Sequence, residues 1–484
     1  MNHGMIKLMI SRMLLILAAL LCVPVLVALI YAEEAKVFIS FAITISLCLI
    51  LSFLLGFKRP NMKEIYAKEG YIICAMSWFI MSAIGALPFF LSGYVPNFMD
   101  AMFETASGFT TTGSSVIPNI ELLPHSLIFW RSFTHLIGGM GVLVFVIAIM
   151  PNAASNSANV NVLKAEIPGP VFGKLLPKVK DMTRTLYTIY LCMTMLVVIL
   201  LWLGHMPLFD AFVHAFGIAG TGGMSSKMAS IGAYHSVYIE YVVAISLVFF
   251  GMNFNLYYLL LMKQFKLFFK NEELRWYIFI ISAATLLITW SILPMSQNFA
   301  EALRNAFFTV SSLMTTAGFC TVDYNKWPAF SHVIITIISI FGASAGSTAG
   351  GLKIYRVAVL FKSVKAEIIR TLSPNRVYFI QMDNKALSKD TVRGMHAYFA
   401  VYMFIFGLIV LLVSLDSPDF TTAFSATVAT FNNIGPGLGA VGPTGSFAFY
   451  NNFSKFVLTF SMIAGRLEIL PVLLCFRPKT WKRG

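Results

Sequence analysis

One pattern, written four times between long apolar runs, limits what this chain can fold into more than any other feature. Four segments carry an Ala followed, twelve residues on, by a Gly in a turn that contains Thr or Asn. They are DAMFETASGFTTTGSS (Ala101, Gly113), DAFVHAFGIAGTGGMS (Ala211, Gly223), NAFFTVSSLMTTAGFC (Ala306, Gly318) and TAFSATVATFNNIGPG (Ala423, Gly435). A further Gly follows 28 residues later in three of them (Gly141, Gly251, Gly346), and Gly465 lies 30 residues after Gly435. A single such spacing carries little information. Four in register are the signature of an internal repeat.

The surroundings of the repeat are oily. Hydrophobic residues make up 58% of the 484, charged residues 12%, and the mean hydropathy is +0.79. A soluble domain carries about a quarter charged residues, so this composition places the chain in a membrane. Ten spans are predicted, near 9–31, 36–57, 70–93, 126–150, 184–204, 236–262, 276–294, 331–361, 394–415 and 453–476. The first lacks a clear small-residue cleavage site and is read as a retained helix rather than a signal peptide. One side of these spans (the N-terminus, 58–69, 151–184, 263–275, 353–393 and 477–484) holds 28 of the 35 Lys and Arg. The positive-inside rule makes that side, with both termini, cytoplasmic. The net charge of +14 is thus a topology signal, not a nucleic-acid footprint, with a lipid or protein contact surface as its second use. The six Cys form neither a CxxC nor a Cys/His cluster, which excludes a disulfide framework and a zinc site.

Each repeat reads as span, half-helix, turn, span. The half-helices, about 97–109, 208–219, 300–314 and 420–431, are too short to cross a bilayer. Their turns fall on the weakly charged outer side. Irregular backbone is tolerated at membrane depth only inside protein or beside water, so the four turns should face one another around an axis. Potassium channels dehydrate their ion with four Thr-Val-Gly-Tyr-Gly loops of inward carbonyls. Aligning carbonyls needs φ > 0, which Gly allows cheaply, and Thr adds a hydroxyl. Half-helix C-termini at the axis favour a cation, and oxygen ligands suit an alkali cation rather than a transition metal. The expected ion-binding residues are Thr111, Thr112 and Gly113; Gly220, Thr221, Gly222 and Gly223; Thr316, Ala317 and Gly318; and Asn433, Ile434 and Gly435. Close packing through small residues explains any one of these turns but is a poor account of four at equal offset.

At these residues the chain resembles the Trk/Ktr/HKT superfamily of cation transporters, over nearly its whole length. The resemblance implies an all-α membrane protein of ten transmembrane helices with four re-entrant pore loops, arranged with potassium-channel-like pseudo-fourfold symmetry around one pore. It divides the chain into two leading helices (1–69) and pore repeats at 70–151, 152–263, 264–361 and 362–484. It implies potassium as the transported ion, with no covalently bound cofactor, and a bacterial cytoplasmic (inner) membrane location. It also implies a homodimer and a cytosolic ring of nucleotide-binding regulatory subunits of the TrkA type. Members with Ser at the first filter position tend towards sodium; here all four positions are Gly. The second loop's extra Gly222, and Asn433 with Pro436 in the fourth, depart from strict symmetry.

The second span of the third unit, SIFGASAGSTAGGLKIYR, is poor helix for two turns. Gly346, Ser347, Thr348, Ala349, Gly350 and Gly351 should form a non-helical plug below the filter, matching the family's gating loop. The sister spans are expected to continue as ordinary helix, and the plug to be an element separate from the filter. Lys362, Lys365 and Arg370 are candidate contacts for the regulator. GSTAGGLK lacks the strand and the final Ser/Thr of a phosphate-binding loop, and GPGLGAVG lacks a βαβ setting. Arg466, inside the last span, carries an insertion cost of about 2.5–3.5 kcal/mol and is expected to face the pore or an acid of another unit. Arg131 is expected to snorkel outward, and His135 and His214 to be buried and hydrogen-bonded.

Two classes of transport compete. A gated pathway would need only the membrane potential, roughly 3.5 kcal/mol per charge at about −150 mV. A proton- or sodium-coupled symporter would want titratable groups in the path, for which Glu104 and Glu468 are the few candidates. No metal cluster, nucleophile triad or carboxylate pair points to an enzyme.

Overall fold

The computed structural model describes residues 3–57, 67–141, 179–375 and 378–478. The end of the 126–150 span and most of the basic segments 58–69 and 151–184 lie outside the described residues. The molecule is mostly helical, and its helices divide by length and burial. Among the described residues six are long and apolar enough to cross a membrane, His3–Ile30, Ala35–Gly56, Glu69–Leu91, Arg184–Leu203, Glu272–Met295 and Lys389–Val413, or seven if the bent pair Val237–Phe250 and Phe254–Leu261 is one span. Their outer faces are covered in exposed side chains such as Phe53, Leu286, Trp290 and Phe404, as expected where the solvent is hydrocarbon.

The leading pair, α1 (His3–Ile30) and α2 (Ala35–Gly56), folds back through a short loop. It is clamped by a reciprocal pair of hydroxyl bonds, Ser11 Oγ to Ser52 O at 2.7 Å and Ser52 Oγ to Ser11 O at 2.8 Å. In a span these hydroxyls have no water to turn to, so each finds a backbone carbonyl.

The short helices are the core. They are α5 (Phe98–Phe109), α8 (Leu208–Gly220), α13 (Phe299–Met314) and α17 (Phe420–Phe431), within a residue or so of the boundaries expected from the repeat. Asn97, Asn298 and Asp419 start three of them, each accepting a backbone N–H from the first turn at 2.8–2.9 Å, which satisfies one orphan donor of the helix start. Their last turns are sealed: Thr110, Ile218, Leu313 and Asn432 are all at most 1% exposed.

The second span of each unit departs from expectation. None of the four runs unbroken through its predicted length. Helix α6 (His125–Gly139) ends before Gly141, whose φ is +79°. Helices α9 (Val237–Phe250) and α10 (Phe254–Leu261) meet at an 87° bend. Helix α14 (Ala329–Phe341) is separated from α15 (Ile354–Leu372) by twelve non-helical residues. Helix α18 (Asn452–Arg466) is separated from α19 (Leu470–Phe476) by a kink with positive φ at Glu468 and Ile469. The expectation that only the third unit is interrupted is therefore wrong. A single Gly followed by a capping or left-handed residue is enough to end a helix, and propensity summed along the span hides so local a signal.

Beyond α15 a short hairpin, β1 (Gln381–Met382) and β2 (Lys385–Ala386), docks back on the start of the Glu272–Ile292 helix. There Asp383 accepts the Glu272 N–H at 2.7 Å.

Candidate functional site

Each short helix ends in the same knot. The N–H groups of Thr112, Gly222, Ala317 and Ile434 return to the carbonyls five residues back, at 2.7–2.8 Å. The N–H groups of Thr111, Thr221, Thr316 and Asn433 return to the carbonyls three residues back, at 3.0–3.2 Å. This paired closure needs a left-handed residue between its two bonds. The chain supplies Thr111, Thr221, Thr316 and Asn433 at φ +54°, +53°, +58° and +56°. Glycine is the usual occupant, so a β-branched Thr here is a costly choice. It makes sense where a hydroxyl is wanted at that point.

Two residues on, the backbone turns positive again, at Gly113, Gly223, Gly318 and Gly435. These glycines have a second reason to lack a side chain. A Cβ on Gly113 would stand 1.9 Å from the Gly222 carbonyl oxygen, and one on Gly223 would stand 1.8 Å from that of Ala317. One on Gly318 would stand 2.1 Å from that of Ile434, and one on Gly435 would stand 2.8 Å from that of Thr112. The contacts run from loop one to two to three to four and back to one. Four carbonyls at the matching position thus sit in a closed ring, each against the next loop's glycine. A cavity on the outer side of the ring is lined by all four of these glycines, with Arg131 and Cys320. Every oxygen available here is hard, neutral and held by a stiff knot, which suits replacing the hydration shell of a large monovalent cation.

Under the ring lie the broken second spans, and they meet. The stretch 342–353 is held from several sides. Ser344 N–H donates to Gly251 O at 3.1 Å, Phe254 N–H to Gly346 O at 3.0 Å, and Thr348 Oγ1 to Phe250 O at 3.3 Å. Glu273, 4% exposed, accepts the Ala345 N–H at 2.6 Å. The Lys353 ammonium folds back onto Ala349 O. From above, Gly350 N–H donates to the Thr316 hydroxyl at 2.7 Å. The plug expected at 346–351 is indeed non-helical, but it is not separate from the ring, since one of the ring's own hydroxyls accepts a bond from it. A Cβ on Gly350 would meet Asn432 O at 2.2 Å, which is how the segment comes so close.

Arg466 reaches the same place from the fourth unit. It donates to Thr348 O at 2.6 Å and to Gly138 O and Gly139 O at 2.7 and 2.9 Å. Among the described residues its partners include backbone carbonyls freed by the broken helices. Glu468 instead pairs with Arg356, one guanidinium nitrogen lying 2.8 Å from its carboxylate.

Other expectations need revision. Arg131 does not snorkel. It is 2% exposed and forms an ion pair with Glu104, Nε to Oε1 at 2.6 Å. His214 is hydrogen-bonded as expected, to Asp210 O and Ser225 Oγ. Among the described residues His135 has no partner in good hydrogen-bonding geometry, and its ring packs against Gly222. Lys362 is committed within the chain, to Glu272 and to Gln381 O, and so is not a free contact for a regulator. Glu273 and Asn253 are not singled out by the sequence, and Lys353 is expected only as the residue into which the plug leads on the regulator's side. Their one legible signal was a polar residue next to a glycine break or at the end of an apolar run.

The geometry has counterparts. The family model described as TrkH, cation transport protein, matches residues 37–483. The Trk system potassium uptake protein TrkH of Salmonella typhimurium is 34% identical over 491 residues, covering all of both chains. The Trk system potassium uptake protein TrkG of Escherichia coli is 31% identical, covering 95% of this chain and 94% of its own. The crystal structure of the potassium transporter TrkH from Vibrio parahaemolyticus superposes with a TM-score of 0.89 at 31% identity, again over all of both chains. A full-length match in sequence, family model and fold shows that this chain belongs to the TrkH family of cation transport proteins.

Proposed function

We propose that this protein is a gated pathway for potassium uptake across the bacterial cytoplasmic membrane, with both termini cytoplasmic. The observation that carries the proposal is the closed ring, in which each loop's positive-φ glycine lies against the next loop's carbonyl. In this reading the units 70–151, 152–263, 264–361 and 362–484 are four pore repeats behind the leading helices of 1–69. Their turns are re-entrant loops on a pseudo-fourfold axis. The filter is Thr111–Gly113, Gly220–Gly223, Thr316–Gly318 and Asn433–Gly435. Residues Gly346–Gly351 are the gate, and Arg466 is a pore-facing latch that holds Thr348 in the closed arrangement. The family relationship supports a homodimer worked by a cytosolic TrkA-type nucleotide-binding ring, which would pull on α15.

A coupled symporter finds less support. Its two candidate carboxylates are both committed to arginine within the fold, Glu104 to Arg131 and Glu468 to Arg356. Rubidium and sodium flux into vesicles holding this protein alone, with and without a pH gradient, tests the choice. Flux should follow voltage and ignore the proton gradient; flux that needs the gradient at fixed voltage refutes the channel-like reading. Gly113→Ser places an atom where a carbonyl already sits, so the permeability ratio of potassium to sodium should fall by about tenfold or more, the carbonyl ring being what discriminates. An unchanged ratio in Gly113→Ser, Gly223→Ser and Gly318→Ser alike means the ring is not the filter.

A further inference from the structure

We infer that the buried pair Glu104–Arg131 is a positioning and charge-balancing device for the outer mouth of the ring, and that it sets both ion selectivity and ion capture there. The inference rests on the ring being the ion filter.

The pair sits behind the first two loops. Glu104, on α5, is 1% exposed, and Arg131, on α6, is 2% exposed. The Glu104 carboxylate collects the Ser115 hydroxyl at 3.1 Å, the Val116 N–H at 3.1 Å and Arg131 Nε at 2.6 Å. Ser115 and Val116 are the residues by which the first loop leaves the ring, two and three positions after Gly113. Arg131 spends its other nitrogens on both loops at once. One donates to Ser115 Oγ at 3.3 Å and another to Ser225 O at 3.4 Å. Ser225 stands two positions after Gly223, where Ser115 stands after Gly113. A planar guanidinium with several donors in a fixed fork is the side chain able to hold two backbones in register this way. The contact it braces is the one where Gly113 lies against Gly222 O.

The second role is electrostatic. Arg131 lines the cavity on the outer face of the ring, together with Gly113, Gly223, Gly318 and Gly435. A lone cation there would repel any arriving cation. Glu104 cancels it, and because the pair is shut away from water the cancellation is little screened by salt. The carboxylate is therefore spent on local balance, which also explains its burial without a proton-carrying role.

Charge and geometry separate by mutation. Glu104→Gln leaves Arg131 uncompensated, so flux at low external potassium should fall about tenfold, the order expected for an uncompensated unit charge lining the path at an effective dielectric of about 20. Raising external potassium should recover most of that flux. Arg131→Lys keeps the charge but loses the fork. It should lower the potassium-to-sodium permeability ratio several-fold. The double variant Glu104→Gln with Arg131→Gln should regain the low-potassium flux that the first single variant lost, while selectivity stays reduced. If Glu104→Gln does not fold, Arg131→Lys still tests the positioning role, and Arg131→Gln, which leaves Glu104 without its cation, tests the charge role: flux at low external potassium should change several-fold, and a parental potassium dependence overturns it.

A folded Arg131→Lys with parental selectivity overturns the positioning role. A Glu104→Gln variant with a parental potassium dependence overturns the charge role. Gly113→Ser serves as the control. If it too leaves selectivity unchanged, the failure belongs to the filter reading; if it alone changes selectivity, the failure belongs to the Glu104–Arg131 pair.

Discussion

The breaks in the second and third units make the most instructive comparison in this molecule. Both interrupt a second span below the ring, and both follow a short apolar helix. In the second unit the break is three residues, a near right-angled bend at Gly251–Asn253, and the chain resumes as helix at once. In the third it runs from Gly342 to Lys353 and climbs to touch Thr316. The short break frees just enough backbone to receive the long one: Phe250 O, Gly251 O and Phe254 N–H all bind it. The breaks in the other two units join in through Arg466, which carries the Gly138 and Gly139 carbonyls on one side and Thr348 O on the other. The long interruption of the third unit packs among the shorter interruptions of the other three. A backbone that leaves its helix inside a membrane must find partners in protein, and here four broken helices supply one another.

Removing the plug should have the largest effect. Excising part of 346–351 removes most of the bonds that hold the proposed gate in place, so flux of the protein alone should rise at least about tenfold. Because Thr316 loses its Gly350 partner, selectivity should shift as well. An excision variant that folds and conducts no faster than the parent removes the distinction between the long break and the short ones. Next comes the latch. Arg466→Gln loses charge-assisted bonds worth about 1.5–3 kcal/mol each, one of them to the plug. The open fraction should rise about tenfold, with the same rubidium assay as the check, and an unchanged open fraction would reduce Arg466 to packing.

Thr316→Val removes one neutral hydrogen bond of about 1 kcal/mol, so basal flux should rise about fivefold, with Thr316→Ser near the parent. Among the described residues the Thr221 hydroxyl donates to its neighbour Gly220 O and not to 342–353, and Thr221→Val should leave basal gating alone. Equal gating effects at the two threonines would mean that the plug has no private link to the third loop. The smallest effect belongs to the short break of the second unit. Asn253→Ala loses the cap on Asn255 N–H at 3.0 Å and a long contact to Glu273 at 3.4 Å, so the open fraction should change about twofold. A change larger than that of Thr316→Val would move control of the gate from the third unit to the second.

Much of this was legible in the chain itself. The register Ala–Gly in four copies located the short helices and their turns, because a helix end that needs two positive-φ positions strongly restricts its residues. Apolar length located the long helices, since the bilayer fixes how much backbone must be covered. The glycine run of the third unit announced its own disorder of hydrogen bonding. Sequence could not say where the freed backbone groups of 342–353 would find partners. Those partners, Phe250, Glu273, Thr316 and Arg466, lie up to 118 residues away on helices whose facing sides only packing decides. The same holds for Arg131, whose charge reads alike whether it snorkels or is buried; only the approach of α5 to α6 brings Glu104 within 2.6 Å of it. Local propensity and hydropathy act over a few residues and were fixed by the chain order. Pairing of buried polar groups acts across the fold, and tertiary structure alone decided it.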